Sequence, residues 1–447
     1  MQNKNLIVGF VPIARPTFDV ALAQDMTDQV YTRLVQAGYK LIGSQVLVMD
    51  ADAVADAAQL LSEKPPDLLL VLQASFADST MVMRLMSMVE APLLMWALPE
   101  ERTGGRLRLN SFCGINLAGH ALLRAGYTYD YVYAAPDSTS ALGKLHTLAT
   151  ASSIRRRLRT ARIGRVGENP DGFETCLVNY DTLQGKFGLE IEQIQLDDVF
   201  SNARAVDQSS VNSVVARVSE QVTGVDQLEP VATQKTFRAY LALSEMTDSL
   251  KLDGMAVRCW PEFFTDFGCS ACGAMSLLSD EMKPCSCEAD VNGTITQLIL
   301  QWISDEPAFG SDLVSFDLED DLAILWHCGL APLSMADPDV QPEGTIHSNR
   351  KMPFLMQFPL KPGRVTLARL SESGGVFRLV VGGGEMVKAP VSFSGTSGTL
   401  RFDSGASTVM DTIMREGLEH HMALTYGDYV DTLVTLAHML DLPVLNL

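Results

Sequence analysis

The sequence contains no apolar stretch approaching the ~20 residues that a membrane-crossing helix requires, so no membrane partner is expected. Basic residues are scarce, 34 Lys and Arg against 54 Asp and Glu, a formal charge of −20. Nucleic-acid binding neutralises phosphates with a basic face. The one basic run, Arg155-Arg156-Arg157 with Arg159 and Arg162, reads as a solvated helix face, so no nucleic-acid partner is expected either. There is no internal repeat and no low-complexity segment. Met1 to Lys4 lead straight into the strand-length run Leu6 to Phe10, without the charged start and small-residue cleavage pattern of a signal peptide. Eight cysteines without a secretion signal then point to reduced thiols and a cytoplasmic location.

What is present is the composition of an ordinary globular protein, 47% apolar and 20% charged, long enough for two or three domains. Residues 1–158 alternate strand patterns (Leu6–Pro12, Tyr39–Val48, Asp67–Gln73, Ala91–Ala97, Tyr129–Ala134) with helical ones (Ala21–Ala37, Ala53–Glu63). Such alternation predicts a parallel sheet wrapped by helices. A second α/β domain is expected over 159–305, with helices at Val211–Val222 and Thr233–Leu250 and a strand at Gly254–Cys259. From 306 to 447 the pattern changes to short strands, Pro353–Phe358, Gly363–Leu370, Val376–Val381 and Leu400–Phe402, broken by Gly/Ser turns. That pattern predicts an antiparallel sheet or barrel, closed by a helix at Val430–Leu440.

Three segments carry candidate chemistry. Cys287-Glu288-Ala289-Asp290-Val291-Asn292-Gly293 precedes a helical run, Thr294–Ile303, and so sits where α/β proteins place ligands, at the carboxyl edge of a parallel sheet. The plain alternative is that Asp290 or Asn292 only caps that helix. Asp312 is followed 15 residues later by His327, and Glu419-His420-His421 precedes an apolar segment. Carboxylates mixed with imidazole suit a divalent ion such as Mn²⁺ or Mg²⁺, with Co²⁺ also accommodated. A rival metal reading is a structural zinc held by Cys269, Cys272, Cys285 and Cys287, set against free thiols in a core.

These segments resemble a known family. The string from His421 through Leu424-Thr425-Tyr426-Gly427 to Thr435-Leu436-Ala437-His438-Met439-Leu440 is similar to the closing segment of L-fucose isomerase, where a metal-binding histidine precedes a Leu-Thr-x-Gly turn. Glu288 to Gly293 resembles that family's Glu-x-Asp…Asn-Gly motif, whose glutamate binds the metal, although the segment is one residue shorter here. Asp312 stands at nearly the family's distance beyond it. The double histidine resembles L-arabinose isomerase, and His327 sits where the arabinose enzymes carry a further ligand. The match is specific over about residues 255–330 and 415–447. Over the first 250 residues it is one of architecture, with pieces such as Arg15-Pro16 and Pro99-Glu100.

The resemblance implies two Rossmann-like α/β domains, then a C-terminal domain containing a β-barrel, with the active site between the second and third. It implies an aldose–ketose isomerase with Glu288, Asp312, His421 and His327 as metal ligands, and Glu288 and Asp312 as the acid/base pair. It also implies a homo-oligomer, trimer or hexamer, in which a neighbour covers the site with Arg15, Gln73 and Asn116. Trp260 and Trp326 offer apolar faces for the sugar. The alternatives are a sulfoquinovose isomerase of the same family and a non-catalytic sugar-binding protein. A sulfonated substrate calls for a cationic clamp, for which Arg15, Arg102, Arg106, Arg108 and Arg258 are the candidates.

Overall fold

The structure, a computed structural model, describes residues 6–447; Met1 to Lys4 lie outside the described residues. The chain divides into two compact units, the first ending at Arg156 and the second running from Arg157 to Leu447.

In the first unit β1 (Ile7–Ile13), β2 (Lys40–Gly43), β3 (Leu68–Gln73), β4 (Leu93–Ala97) and β5 (Asp130–Tyr133) form a parallel sheet in the order β2-β1-β3-β4-β5. The central β3, Leu-Leu-Leu-Val-Leu-Gln, is buried along its whole length, as a sheet covered on both faces demands. Three of the intervening helices begin on an aspartate: Asp19, Asp50 and Asp78 accept the backbone N–H groups of Leu22, Ala53 and Thr80. The strand expected over Tyr39–Val48 stops at Gly43. A Cβ at that position would stand 2.3 Å from the Phe10 carbonyl oxygen, and its φ of +119° is one that glycine tolerates, so the chain turns there.

The second unit contains two sheets. Strands β6 (Arg162–Val166), β7 (Glu190–Ile194), β8 (Gly254–Val257) and β9 (Cys285–Ser286) are parallel in the order β7-β6-β8-β9. Arg162 therefore opens a strand, pairing with Glu190 and Glu192, and does not extend a helical basic face. The other sheet is built from β10 (Phe309–Asp317), β11 (Leu322–His327), β12 (Glu343–Thr345), β13 (Leu355–Pro359), β14 (Gly363–Ser371), β15 (Arg378–Val387), β16 (Thr396–Phe402), β17 (His421–Tyr426) and β18 (Val444–Asn446). Its order is β12-β13-β16-β11-β10-β17-β14-β15-β18, mostly antiparallel, and β15 also pairs with β16. The whole is mixed α/β, with two parallel sheets and one large mixed sheet. The change of composition near residue 306 marks the passage from the helix Val291–Ser304 to β10. Residues on both sides of it, among them Phe237, Leu278, Leu325 and Phe358, share a single core. Among the described residues no helix is long and apolar enough to cross a membrane.

Candidate metal centre

Glu288 lies between β9 and the helix Val291–Ser304, at the carboxyl edge of the four-stranded sheet. It and Ala289 both adopt left-handed backbone, at φ +59° and +55°, a conformation that costs an L-residue on the order of 1–2 kcal/mol. The turn is held by Asn169, whose side-chain amide donates to the carbonyls of Glu288 (2.9 Å) and Ala289 (3.1 Å), and by the Ala289 N–H, which donates to Val257. The next residue, Asp290, caps the helix by accepting the Gly293 N–H at 2.9 Å. The cap reading of Asp290 is thus correct, but it is only half of what the residue does. Its other oxygen lies 2.9 Å from Nδ1 of His421, and both its oxygens accept from Arg369, which is almost wholly buried. The Asn-Gly of the motif has a steric reason. A Cβ at position 293 would stand 2.6 Å from the Asp290 carboxylate and 3.2 Å from Arg369.

The remaining groups come from three adjacent strands of the large sheet. Asp312 on β10 is the register partner of His421 on β17 and of Trp326 on β11, which places His327 next to the same row. His421 Nε2 lies 3.5 Å from Asp312 Oδ1 and 3.8 Å from Glu288 Oε2. Ligand atoms of Asp312, His327 and His421 fall within 4.8 Å of one another, and so do those of Cys176, Glu288, His420 and His421. Oδ1 of Asp312 is buried without a hydrogen-bond donor. A buried, donorless carboxylate oxygen facing an imidazole nitrogen is costly as it stands and suits a divalent cation.

Hydrogen bonding distinguishes His421 from His327, the two buried histidines of this cluster. Nδ1–H of His421 donates to Asp290, leaving Nε2 as the atom available to a cation, the carboxylate–histidine arrangement that orients metal ligands. Burial disfavours its charged form, but Asp290, Asp312 and Glu288 outweigh burial and raise its pKa. In His327, by contrast, Nδ1 accepts the Cys328 N–H at 2.9 Å, and burial lowers the pKa. The neutral ring therefore carries its proton on Nε2 and acts as a donor there. Burial pushes Glu288 upward, yet His420, His421 and Trp260 together hold it below its usual value, so it is a ready carboxylate. Asp290 is likewise pushed up by burial and held well below the carboxylate range by Arg369 and His421.

Trp260 donates its indole N–H to Glu288 Oε1 at 3.1 Å, whereas Trp326 donates to the Ser394 carbonyl and its ring stacks beside His327. His420 places Nε2 3.2 Å from Glu288 Oε2, and Thr175 holds its Nδ1 at 2.8 Å. His420, Cys176, Asn169 and Arg369 were not expected here. Only His420, beside His421, carried a signal in the sequence.

In the first unit, Arg15 pairs with Asp78 and lies over the Phe76 ring; Gln73 is fully buried with its amide on the Ala77 carbonyl; Asn116 is exposed. Of the clamp candidates, Arg108 pairs with Asp19, and Arg258 is committed to Glu262 and two backbone carbonyls. The four cysteines considered for zinc do not converge as a group among the described residues. Cys287 instead faces Cys259 at 2.7 Å and Cys272 faces Cys328 at 3.1 Å, all as free thiols.

Known protein families match both ends of the chain. The pattern of the fucose/sulfoquinovose isomerase N-terminal domain matches residues 9–159, and that of the L-fucose isomerase C-terminal domain matches residues 326–447. The chain is similar to the sulfoquinovose isomerase of Priestia aryabhattai, with 30% identity over 445 residues and 99% of each chain covered. It is similar to that of Alkalicoccus urumqiensis, with 30% identity over 443 residues and again 99% of each. To that of Clostridium sp. (strain MSTE9) it is 28% identical, covering 97% of this chain and 98% of the other.

Proposed function

This chain belongs to the fucose/sulfoquinovose isomerase family and is an aldose–ketose isomerase; from that premise we propose a metal-dependent enzyme whose ion is held by Glu288, Asp312 and His421. One observation carries the ligand set: the donorless, buried Oδ1 of Asp312 faces the Nε2 of His421 that Asp290 leaves free, with Glu288 beside them. Two carboxylates and one imidazole suit Mn²⁺, with Mg²⁺ or Co²⁺ as substitutes. A divalent ion supplies polarisation of the sugar carbonyl and a hold on the neighbouring hydroxyl.

The chain's own groups do the proton work. Glu288, held ionised, takes the proton from C2 of the open-chain aldose and returns it to C1 of the enediol, while Asp312 relays the C2 hydroxyl proton to the C1 oxygen. His327 presents Nε2–H to a substrate oxygen, which we favour over a role as fourth ligand because its Nδ1 is occupied by the Cys328 N–H. Trp260 orients Glu288 and, with Phe173 edge-on to it, gives the sugar an apolar wall. Trp326 lies beside His327 as a second wall.

The full-length similarity to sulfoquinovose isomerases supports a sulfonated aldose as substrate. Family membership sets aside a non-catalytic sugar-binding role. We further read the ring of pairings closed by β15 and β16 as the barrel, keep the division at 158/159 and 305/306, and place the enzyme in the cytoplasm as a homo-oligomer. Supporting assembly, the edge strand β5 exposes Tyr131 and Tyr133, and exposed Phe112 packs against Tyr133. Arg15 and Asn116 remain the residues proposed for the covering surface; Gln73, fully buried beneath it, is not offered to a neighbour.

The test is a panel of sulfonated and neutral aldoses with Mn²⁺, before and after EDTA. Turnover that disappears on chelation and returns with Mn²⁺ is expected; undiminished turnover in metal-free protein would remove the ion from the proposal.

A further inference from the structure

Arg350 is the cation that the sequence pattern did not single out. Its guanidinium carbon lies 4.5 Å over the Trp260 ring and 5.0 Å over the Phe264 ring. It makes no side-chain hydrogen bond and no ion pair among the described residues, in a chain of net charge −20 where three of the five clamp candidates, Arg15, Arg108 and Arg258, are each paired with a carboxylate. The ring beneath it is the one whose N–H holds Glu288 at 3.1 Å. Phe173 continues the aromatic wall, 5.2 Å from Trp260 and 6.0 Å from His420. A row of rings thus runs from the carboxylate end of the site, at Glu288 and His420, to an unpaired guanidinium at the other end.

We propose that Arg350 is the subsite for a terminal sulfonate on the sugar. The proposal rests on the isomerase reading above and specifies how that same site recognises its substrate. Through the indole, the guanidinium lies at most about 10 Å from Glu288, and an extended six-carbon chain ending in sulfur spans about 8 Å, so one substrate reaches both ends. A guanidinium offers parallel donors that match two oxygens of a tetrahedral oxyanion. Arg350 is exposed, but the Trp260 and Phe264 rings shield part of its guanidinium from water, which strengthens its pairing with an anion. A sulfonate carries one charge, which a single guanidinium balances; a phosphate monoester carries about −1.5 to −2 and needs more. The neighbouring carboxylates would repel an anionic sugar, so a fixed cation at the distal end also sets the direction in which the substrate enters.

The experiment compares kcat/KM for sulfoquinovose, glucose 6-phosphate and glucose, with Mn²⁺, in wild type, R350M and R350K, with thermal unfolding confirming that each variant is folded. Wild type is expected to favour the sulfonated sugar. In R350M the ratio of sulfonated to neutral kcat/KM is expected to fall by at least ~30-fold, the scale of one lost charged hydrogen-bond partner, and R350K should restore part of it. An unchanged ratio in R350M, or a wild-type preference for the phosphate or the neutral sugar, overturns the sulfonate subsite while leaving the isomerase reading intact. If wild type turns over none of the three, the isomerase reading fails. The subsite is then judged by calorimetric titration of methanesulfonate, where absent binding, or equal binding to wild type and R350M, overturns it.

Discussion

His421 and Asp312 are register partners on adjacent antiparallel strands, and this pairing puts Nε2 of one 3.5 Å from Oδ1 of the other. The strands alone would leave the imidazole free to turn. Asp290, 131 residues earlier in the chain, accepts its Nδ1–H and fixes which nitrogen faces Asp312. Glu288 reaches the same point from the end of a different sheet, across a left-handed turn clamped by Asn169.

Glu288→Gln and Asp312→Asn should each lower kcat by at least ~100-fold, the scale of lost acid–base catalysis, without unfolding the protein. Steady-state kinetics with saturating Mn²⁺ and a thermal melt decide this. Wild-type-like turnover in either variant would remove that residue from proton transfer.

His421→Ala and Asp290→Asn should both weaken metal binding, the second through loss of the imidazole's orientation, by ~10–100-fold. His327→Gln should leave metal affinity near that of wild type while raising KM or lowering kcat. Calorimetric Mn²⁺ titration of the three variants separates the roles. A loss in His327→Gln as large as that in His421→Ala would make His327 a ligand.

The pH dependence of metal binding follows from His421. Its pKa in the folded, metal-free protein lies above the ordinary imidazole value of about 6.5. The protonated ring's contribution to stability is therefore full below about 6.5 and is lost as pH rises through the raised value. A metal must displace that proton, so Mn²⁺ affinity should fall as pH is lowered from above the raised value. Titrations in two buffers of different ionisation enthalpy should detect the released proton; affinity independent of pH between about 6 and 8 would contradict this.

Gly293→Ala should disturb the site although residue 293 touches no substrate, because the added Cβ would meet the Asp290 carboxylate at 2.6 Å. A loss of ~1–3 kcal/mol, the usual cost of overpacking, is expected in chemical denaturation, together with weaker Mn²⁺ binding. Unchanged stability and affinity would show that the Asp290–Arg369 pair shifts freely.

Asn169→Ala should release the Glu288–Ala289 turn by removing the donor to both carbonyls. A kcat/KM reduction of at least ~10-fold is expected, from misplacement of a catalytic carboxylate. Kinetics matching wild type would mean that the Ala289–Val257 bond alone holds the turn.

The sequence by itself determined most of the elements and pointed to all three proposed ligands, Glu288, Asp312 and His421. Alternating apolar runs and helical stripes are local patterns, so β1, β3, β4 and β8 appear within a few residues of their expected places. Glu288 and His421 stand in strings short enough to be recognised without knowing what they face. Tertiary structure alone decided the rest, because it depends on strand register and on side chains meeting across more than a hundred residues. Asp290 shows the limit most plainly. Its helix cap is local and was legible, whereas its grip on His421 and Arg369 exists only once β14 and β17 pack over the end of the Val291–Ser304 helix. Arg350 carried no signal at all. Its significance lies in the carboxylate it does not meet and the indole it covers, and both are properties of the fold.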